Sequence, residues 1–213
     1  MNNDSLCRLE RERARMDGID METAVDPIAL FRAWMKAAEA SEPNDASAVA
    51  LATATRDGMP SVRMVLMKRA DQQGFRFYTN AESQKGVELA ENPRAAMCFH
   101  WKSLLRQVRV SGVVSELPAE EADEYFQSRS RLSQLGAVAS EQSRVLAGRE
   151  VLEARVKELE RRFPEKIPRP GYWRGYLLRP ERIEFWRSGA DRMHDRFLFS
   201  RSRDSWQKER LYP

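Results

Sequence analysis

Apolar and polar positions follow two rhythms along this chain. Between residues 26 and 38 the rhythm is helical: Leu30, Phe31, Trp34, Met35 and Ala38 recur at steps of three and four and share one helix face. Asp26 and Pro27 mark the start, since Asp caps a helix well and proline is tolerated at its first position. From residue 48 the rhythm shortens. Residues 48–55 are small and apolar, Arg56-Asp57-Gly58 is a hairpin signal, and 60–68 is the partner strand. Strands are also predicted at 75–79, 95–101 and 105–117. In the last of these, Arg106, Val108 and Val110 alternate against Gln107, Arg109 and Ser111. Segments 172–178, 182–186, 193–200 and 206–211 complete the strand set. Helices are predicted at 83–91, stopped by Asn92-Pro93, at 118–128 with acidic residues in its first turn, and at 150–163.

Many strands joined by short turns, with helices interspersed, imply a mostly β fold with helical decoration, an antiparallel barrel or sheet of the α+β class. Strand and helix do not alternate regularly, which argues against a doubly wound parallel sheet. No GxGxxG or Walker-type loop occurs. Residues 1–25 are charge-rich without apolar periodicity and read as a loose leader; 26–213 reads as one domain.

Composition narrows the class. With 42% hydrophobic and 32% charged residues the chain reads as soluble and globular. No apolar run reaches the roughly 20 residues of a membrane-spanning helix, so no membrane partner is expected. The first residues mix both charges and lack the apolar core of a secretory signal. Cys7 and Cys98 are expected to remain unpaired thiols, which suits a reducing cytoplasm. His100 and His194 are the only histidines and no zinc-ligand spacing occurs, so no metal is expected. The net charge of +4 does not call for nucleic acid but suits anionic ligands.

Three constellations could carry chemistry. Tyr125, Arg129 and Ser133 stand four apart, which on one helix would stack a guanidinium between two hydroxyls, donors suited to a phosphate. On spacing alone an ordinary polar helix end explains them better. Arg192, His194 and Arg196 would share one face of a strand, either facing a ligand or forming a solvated edge. Arg63, Lys68 and Lys85 could bind phosphate. Arg63 and Lys68 are five apart, so a regular strand would point them to opposite faces: either the strand bulges or they touch different anions. His100 reads as a packed, hydrogen-bonded residue, and the five tryptophans as core or interface anchors.

The order of several segments is more specific than any one of them. RMVLMK at 63–68, FYTN at 77–80, RQVR at 106–109, SQLG at 133–136, EQS at 141–143, IEFW at 183–186 and RMHDR at 192–196 occur in sequence. Together they closely resemble the pyridoxamine phosphate oxidase family, from about residue 26 to the C-terminal RLYP. The resemblance implies an FMN-binding split β-barrel and a homodimer with flavin at the subunit interface. It implies a flavin shell of Arg63, Met64, Val65, Leu66, Met67, Lys68, Tyr78, Thr79, Gln84, Lys85, Gln107, Gln142, Ser143, Trp186 and Arg196. Lys68, Tyr125, Arg129 and Ser133 would hold a substrate phosphate, and Arg192 and His194 would act against the substrate ring. The implied reaction converts pyridoxamine or pyridoxine phosphate to pyridoxal phosphate, with oxygen as acceptor and hydrogen peroxide as product.

The chain also departs from the family pattern. Gln84 stands where a basic residue usually precedes Lys85, Val138 replaces a common Trp, Arg174 replaces a glycine, and Arg187-Ser188 replaces a Gln-Gly pair. The leader offers Glu10 and Arg13 in place of an Arg-x-x-Tyr. Two other readings keep the flavin shell: a split-barrel flavin reductase with another substrate, and a non-catalytic flavin or pyridoxal-phosphate binding protein.

Overall fold

The computed structural model describes residues 20–203 and 205–213. Helix α1 (Pro27–Ser41) begins as expected, with the Asp26 carboxylate accepting from the amides of Ile28 and Ala29. Its apolar face, Leu30, Phe31, Trp34, Met35 and Ala38, is buried. That face packs into an aromatic core in which Phe31 meets Phe75 and Phe99 edge-on, and Trp34 meets Phe185.

The core is closed by one antiparallel sheet of β1 (Ala48–Ala54), β2 (Pro60–Leu66), β3 (Arg69–Asp71), β4 (Gly74–Asn80), β5 (Arg94–Trp101), β6 (Arg106–Glu116), β7 (Trp173–Arg187), β8 (Asp195–Ser202) and β9 (Ser205–Leu211). The strand order is β2-β1-β5-β6-β7-β4-β3, with β8 added to β7 and β9 to β8. The sheet curls until its ends meet: just beyond β2, the Lys68 amide donates to the Arg76 carbonyl of β4. β2 and β4 form no ladder with each other, and the fold is a split barrel. Helices α2 (Gln84–Glu91), α3 (Ala119–Ser128), α4 (Arg131–Ala139) and α5 (Arg149–Arg162) lie outside it. Ala122, Phe126, Leu135, Ile167 and Trp173 form a smaller second core under them.

Several expectations change. The strands predicted at 172–178 and 182–186 are one continuous strand, β7. Its first part pairs with β4 as far as Leu178, and its last part pairs with β8 from Arg182. Pro180 sits in the gap between these neighbours, where β6 also shifts register at Ser111/Gly112. A proline is tolerated where the ladder is already interrupted. Gly112 is required there, because a Cβ would lie 2.0 Å from the Arg179 carbonyl oxygen. Helix α4 and strand β3 were not predicted. His100, expected to be packed, is exposed, because β5 alternates and His100 lies on the face away from the core. Residues 20–25, expected in a loose leader, are anchored at two positions although Glu22, Thr23 and Val25 are exposed. Met21 and Ala24 are buried, and Lys208 donates to the carbonyls of Glu22 and Ala24. The rest of the proposed leader, with Glu10 and Arg13, lies outside the described residues. Among those described, no helix is long and apolar enough to cross a membrane, and no Cys, His, Asp and Glu group could hold a metal.

Candidate active site

The split between β2 and β4 opens into a cavity of about 720 Å³, within the range of cofactor sites. Strand β2 forms one wall. Its alternation turns Ser61, Arg63 and Val65 to the half-buried side and leaves Val62, Met64 and Leu66 exposed. The strand ends at Leu66 and Met67 turns into the core. Arg63 and Lys68 therefore both reach the cavity although they are five residues apart, and the end of the strand, not a bulge, is the reason.

Behind this wall lies a buried carboxylate. Glu88 of α2 accepts from Thr53, from Ser61 at 2.6 Å and from the Gln84 side chain at 3.0 Å, and Arg63 stands 3.4 Å away. Burial works to raise its pKa, but these hydrogen bonds and the Arg63 charge outweigh that and hold the carboxyl below its ordinary value. The Gln84 side chain is thus turned toward Glu88, while its backbone N–H donates to Ser143 Oγ at 3.2 Å. Lys85 is 6% exposed. Its ammonium donates to Gln142 at 2.9 Å and to the helix-capping Ser83 at 3.1 Å. Among the described residues no carboxylate bonds it directly. Burial first, and then the neighbouring Arg63 charge, lower its pKa to about 8, against a smaller opposing pull from Glu88. Two cations that repel each other in one cavity suit an anionic terminus.

The opposite wall comes from the break between α3 and α4. Tyr125 lies on α3, Arg129 is the extended residue that ends it, and Ser133 lies on α4, capped by Ser130. The expected single helix face is therefore incorrect. The chain kinks at 129–130, yet all three residues line the cavity with Lys68. Arg129 Nη1 is buried without a hydrogen-bond partner.

The remaining candidates gather elsewhere. Gln107, Trp186 and Arg196 are consecutive cross-strand neighbours on β6, β7 and β8. The His194 ring lies 4.8 Å from that of Trp186, and its Nδ1 accepts from the Gly189 amide at 3.1 Å. Arg192, His194 and Arg196 do not share a strand face, as β8 begins only at Asp195. Arg192 sits in a short 3₁₀ turn with φ of 63°. Arg196 donates to Glu184 at 3.0 Å. None of these residues lines the cavity of its own chain.

Residues 35–163 match the family model for pyridoxamine 5'-phosphate oxidase, and residues 173–213 match that of the pyridoxine 5'-phosphate oxidase C-terminal dimerisation region. The chain belongs to the pyridoxamine 5'-phosphate oxidase family. Within that family it is 57% identical over 191 residues to the pyridoxine/pyridoxamine 5'-phosphate oxidase of Anaeromyxobacter dehalogenans, covering 89% of this chain and 96% of that one. It is 53% identical to the protein of the same name from Gluconobacter oxydans, covering 91% and 97%. Among solved structures it resembles PhzG from Burkholderia lata, crystallised with tetrahydrophenazine-1-carboxylic acid, with a TM-score of 0.85 and 34% identity over 90% of this chain and 94% of that one. An FMN-binding protein from Nostoc punctiforme shares the fold at TM-score 0.70 and 17% identity, over 90% and 100% of the two chains.

Against this family background, the cavity collects Arg63, Met64, Val65, Leu66, Lys68, Tyr78, Thr79, Gln84, Lys85, Gln142 and Ser143 with the trio Tyr125, Arg129 and Ser133. Met67, expected in the flavin shell, is instead buried in the core. Sequence reasoning missed Ser61, Glu88 and Trp173. Ser61 shares the face of Arg63 two residues away, and Glu88 follows Gln84 by one helical turn, so both were within reach of periodicity. Trp173 was read only as an anchor.

Proposed function

We propose that this chain oxidises pyridoxamine 5'-phosphate or pyridoxine 5'-phosphate to pyridoxal 5'-phosphate, with FMN as cofactor and oxygen as acceptor. The observation that carries the reading is one cavity lined by two cationic groups. Arg63 and Lys85 form the first, where buried Lys85 has no bonded carboxylate among the described residues. Arg129, with Tyr125, Ser133 and Lys68, forms the second. A flavin with a monophosphate tail suits the first group and a phosphorylated pyridine suits the second. The names of relatives above 50% identity agree.

The chemistry FMN supplies when bound is acceptance of a hydride from the substrate carbon that bears the amine or alcohol, with the electrons passing to oxygen as hydrogen peroxide. The chain's own residues bind and orient. Lys85, Arg63, Gln142 and Ser143 hold the cofactor end. Arg129, Tyr125, Ser133 and Lys68 grip the part of the substrate that does not react, which fixes the reacting end.

The enzyme works as a homodimer. The match of residues 173–213 to a dimerisation region supports this, as does the separation of Gln107, Trp186, Arg192, His194 and Arg196 from their own cavity. In a dimer one subunit's cluster completes the other's cavity, and Arg192 and His194 then hold the substrate ring or take its proton. Cys98, a free thiol, suits a reducing cytoplasm.

The test is direct. Purified protein should be yellow, hold about one FMN per subunit, and release peroxide with pyridoxamine 5'-phosphate. Protein that cannot be loaded with FMN would refute the reading. Loaded protein that reduces another substrate but not this one would make it a different split-barrel flavin enzyme.

A further inference from the structure

The two cationic groups of the cavity hold their arginines by different means. Arg63 faces the Glu88 carboxylate. Arg129 has no carboxylate partner among the described residues, although α3 is rich in acids. Two of these acids are engaged elsewhere, Glu121 by Arg76 at 3.4 Å and Asp123 by Arg169 at 2.6 Å. Arg129 instead lies over aromatic rings, its guanidinium carbon 5.1 Å from the centre of Trp173 and 5.9 Å from that of Phe126.

Trp173 is itself firmly placed. It is buried at the start of β7, stacked on Tyr78 at 5.3 Å and met edge-on by Phe126 at 5.2 Å. Tyr78 stacks in turn on Tyr125 at 4.1 Å. The platform under Arg129 is therefore continuous with two tyrosines that line the cavity.

We propose that Trp173 is a positioning residue for the substrate phosphate: its ring face holds the Arg129 guanidinium where a carboxylate otherwise would. This rests on the phosphate assignment made above for Arg129. A carboxylate would cancel most of the arginine's charge and compete with the incoming anion. A ring face attracts the cation through its quadrupole but offers no lone pair to displace. It also leaves the edge of the guanidinium, where its N–H donors lie, free for oxygens. Nη1 is buried and has no hydrogen-bond partner among the described residues, so nothing the protein itself supplies competes there for the guanidinium.

The test compares Trp173→Leu and Trp173→Phe with Arg129→Ala, reading kcat, KM for pyridoxamine 5'-phosphate, inhibition by inorganic phosphate, and FMN content. Trp173→Leu should raise KM and the phosphate inhibition constant together by roughly tenfold, and Trp173→Phe by roughly threefold, with kcat less affected and FMN retained. In the Arg129→Ala background Trp173→Leu should add little, because the ring acts through the arginine. Should Trp173→Leu not fold, fluorinated tryptophans placed at 173 keep the shape and weaken the quadrupole, and log KM should climb with each added fluorine. A flat fluorine series, or Trp173 and Arg129 effects that simply add, would overturn the proposal while leaving the phosphate assignment intact. Arg129→Ala with unchanged KM and unchanged phosphate inhibition would remove that assignment and the proposal with it.

Discussion

Replacing Lys85 should stabilise the flavin-free protein and weaken its hold on flavin at the same time. In the free protein burial and Arg63 lower the Lys85 pKa from 10.5 to about 8. The unfolded chain then binds more protons than the folded one between these values, so stability rises as pH increases from about 8 to 10.5. Below pH 8 the full cost of the buried charge is present. At 1.36 kcal/mol per pKa unit, the lowering from 10.5 to about 8 corresponds to at most roughly 3 kcal/mol, and to less where solvent in the cavity screens the ammonium. Lys85→Met removes that cost but also removes the bonds to Gln142 and Ser83, worth together about 1 kcal/mol. The flavin-free variant should therefore be more stable at pH 7 by up to about 2 kcal/mol, and the gain should vanish near pH 10 and turn into a deficit of about 1 kcal/mol at higher pH, where only the lost bonds remain. Flavin affinity should fall by on the order of 10- to 100-fold, the worth of one charge-assisted hydrogen bond. Excess FMN should reverse the ranking, since ligand stabilises in proportion to the logarithm of its concentration over Kd. Urea unfolding at pH 7 and pH 10, with and without FMN, measures both. A flavin-free variant less stable than wild type at pH 7, or one that binds FMN as tightly, would refute the reasoning.

The same coupling predicts that wild-type FMN affinity is greatest below about pH 8 and falls as pH rises through it. Glu88→Gln should move that edge to lower pH, because the Glu88 charge is what raises the Lys85 pKa; fluorescence titration of FMN across pH 6 to 10 would expose an unmoved edge. Gly112→Ala should lower stability by about 2–4 kcal/mol, read by thermal unfolding, since a Cβ 2.0 Å from the Arg179 carbonyl forces β6 and β7 apart. Mixing unfolded Arg129→Ala and His194→Ala chains and refolding them together should give more activity at low substrate concentration than either variant has alone. One site of each mixed dimer then takes a wild-type cavity from one chain and a wild-type cluster from the other; activity no greater than that of the separate variants would mean that each site is built from one chain.

Where a segment's own alternation decides its burial, the sequence was enough to read it. The face of α1 and the strands β5 and β6 lie where the pattern put them, because each packs one side against a single core. The pattern failed where neighbours change along an element. Strand β7 looks like two strands because its residues 179–181 belong neither to the β4 ladder nor to the β8 ladder, and only the long pairing with β6 makes it one. Helix α4 was missed because its start depends on Ser130 capping a new helix directly after Arg129 ends the previous one.

The candidate site follows the same division. Tyr125, Arg129 and Ser133 were singled out by helical spacing, yet they converge because the helix breaks between them. A kink turns Arg129 out of the helical register and over the ring of Trp173, a residue 44 positions further along the chain. No local spacing can encode that contact. Nor can it encode why Arg63 has a carboxylate and Arg129 has none among the described residues, since Glu88 reaches β2 from α2 while Glu121 and Asp123 of α3 are drawn to Arg76 and Arg169. The residue types that suit two phosphates are visible in the sequence. Which of them keep their charge available is decided by these long-range partners, and that difference separates Arg63, balanced by Glu88, from Arg129, which lies over the Trp173 ring with no carboxylate among the described residues.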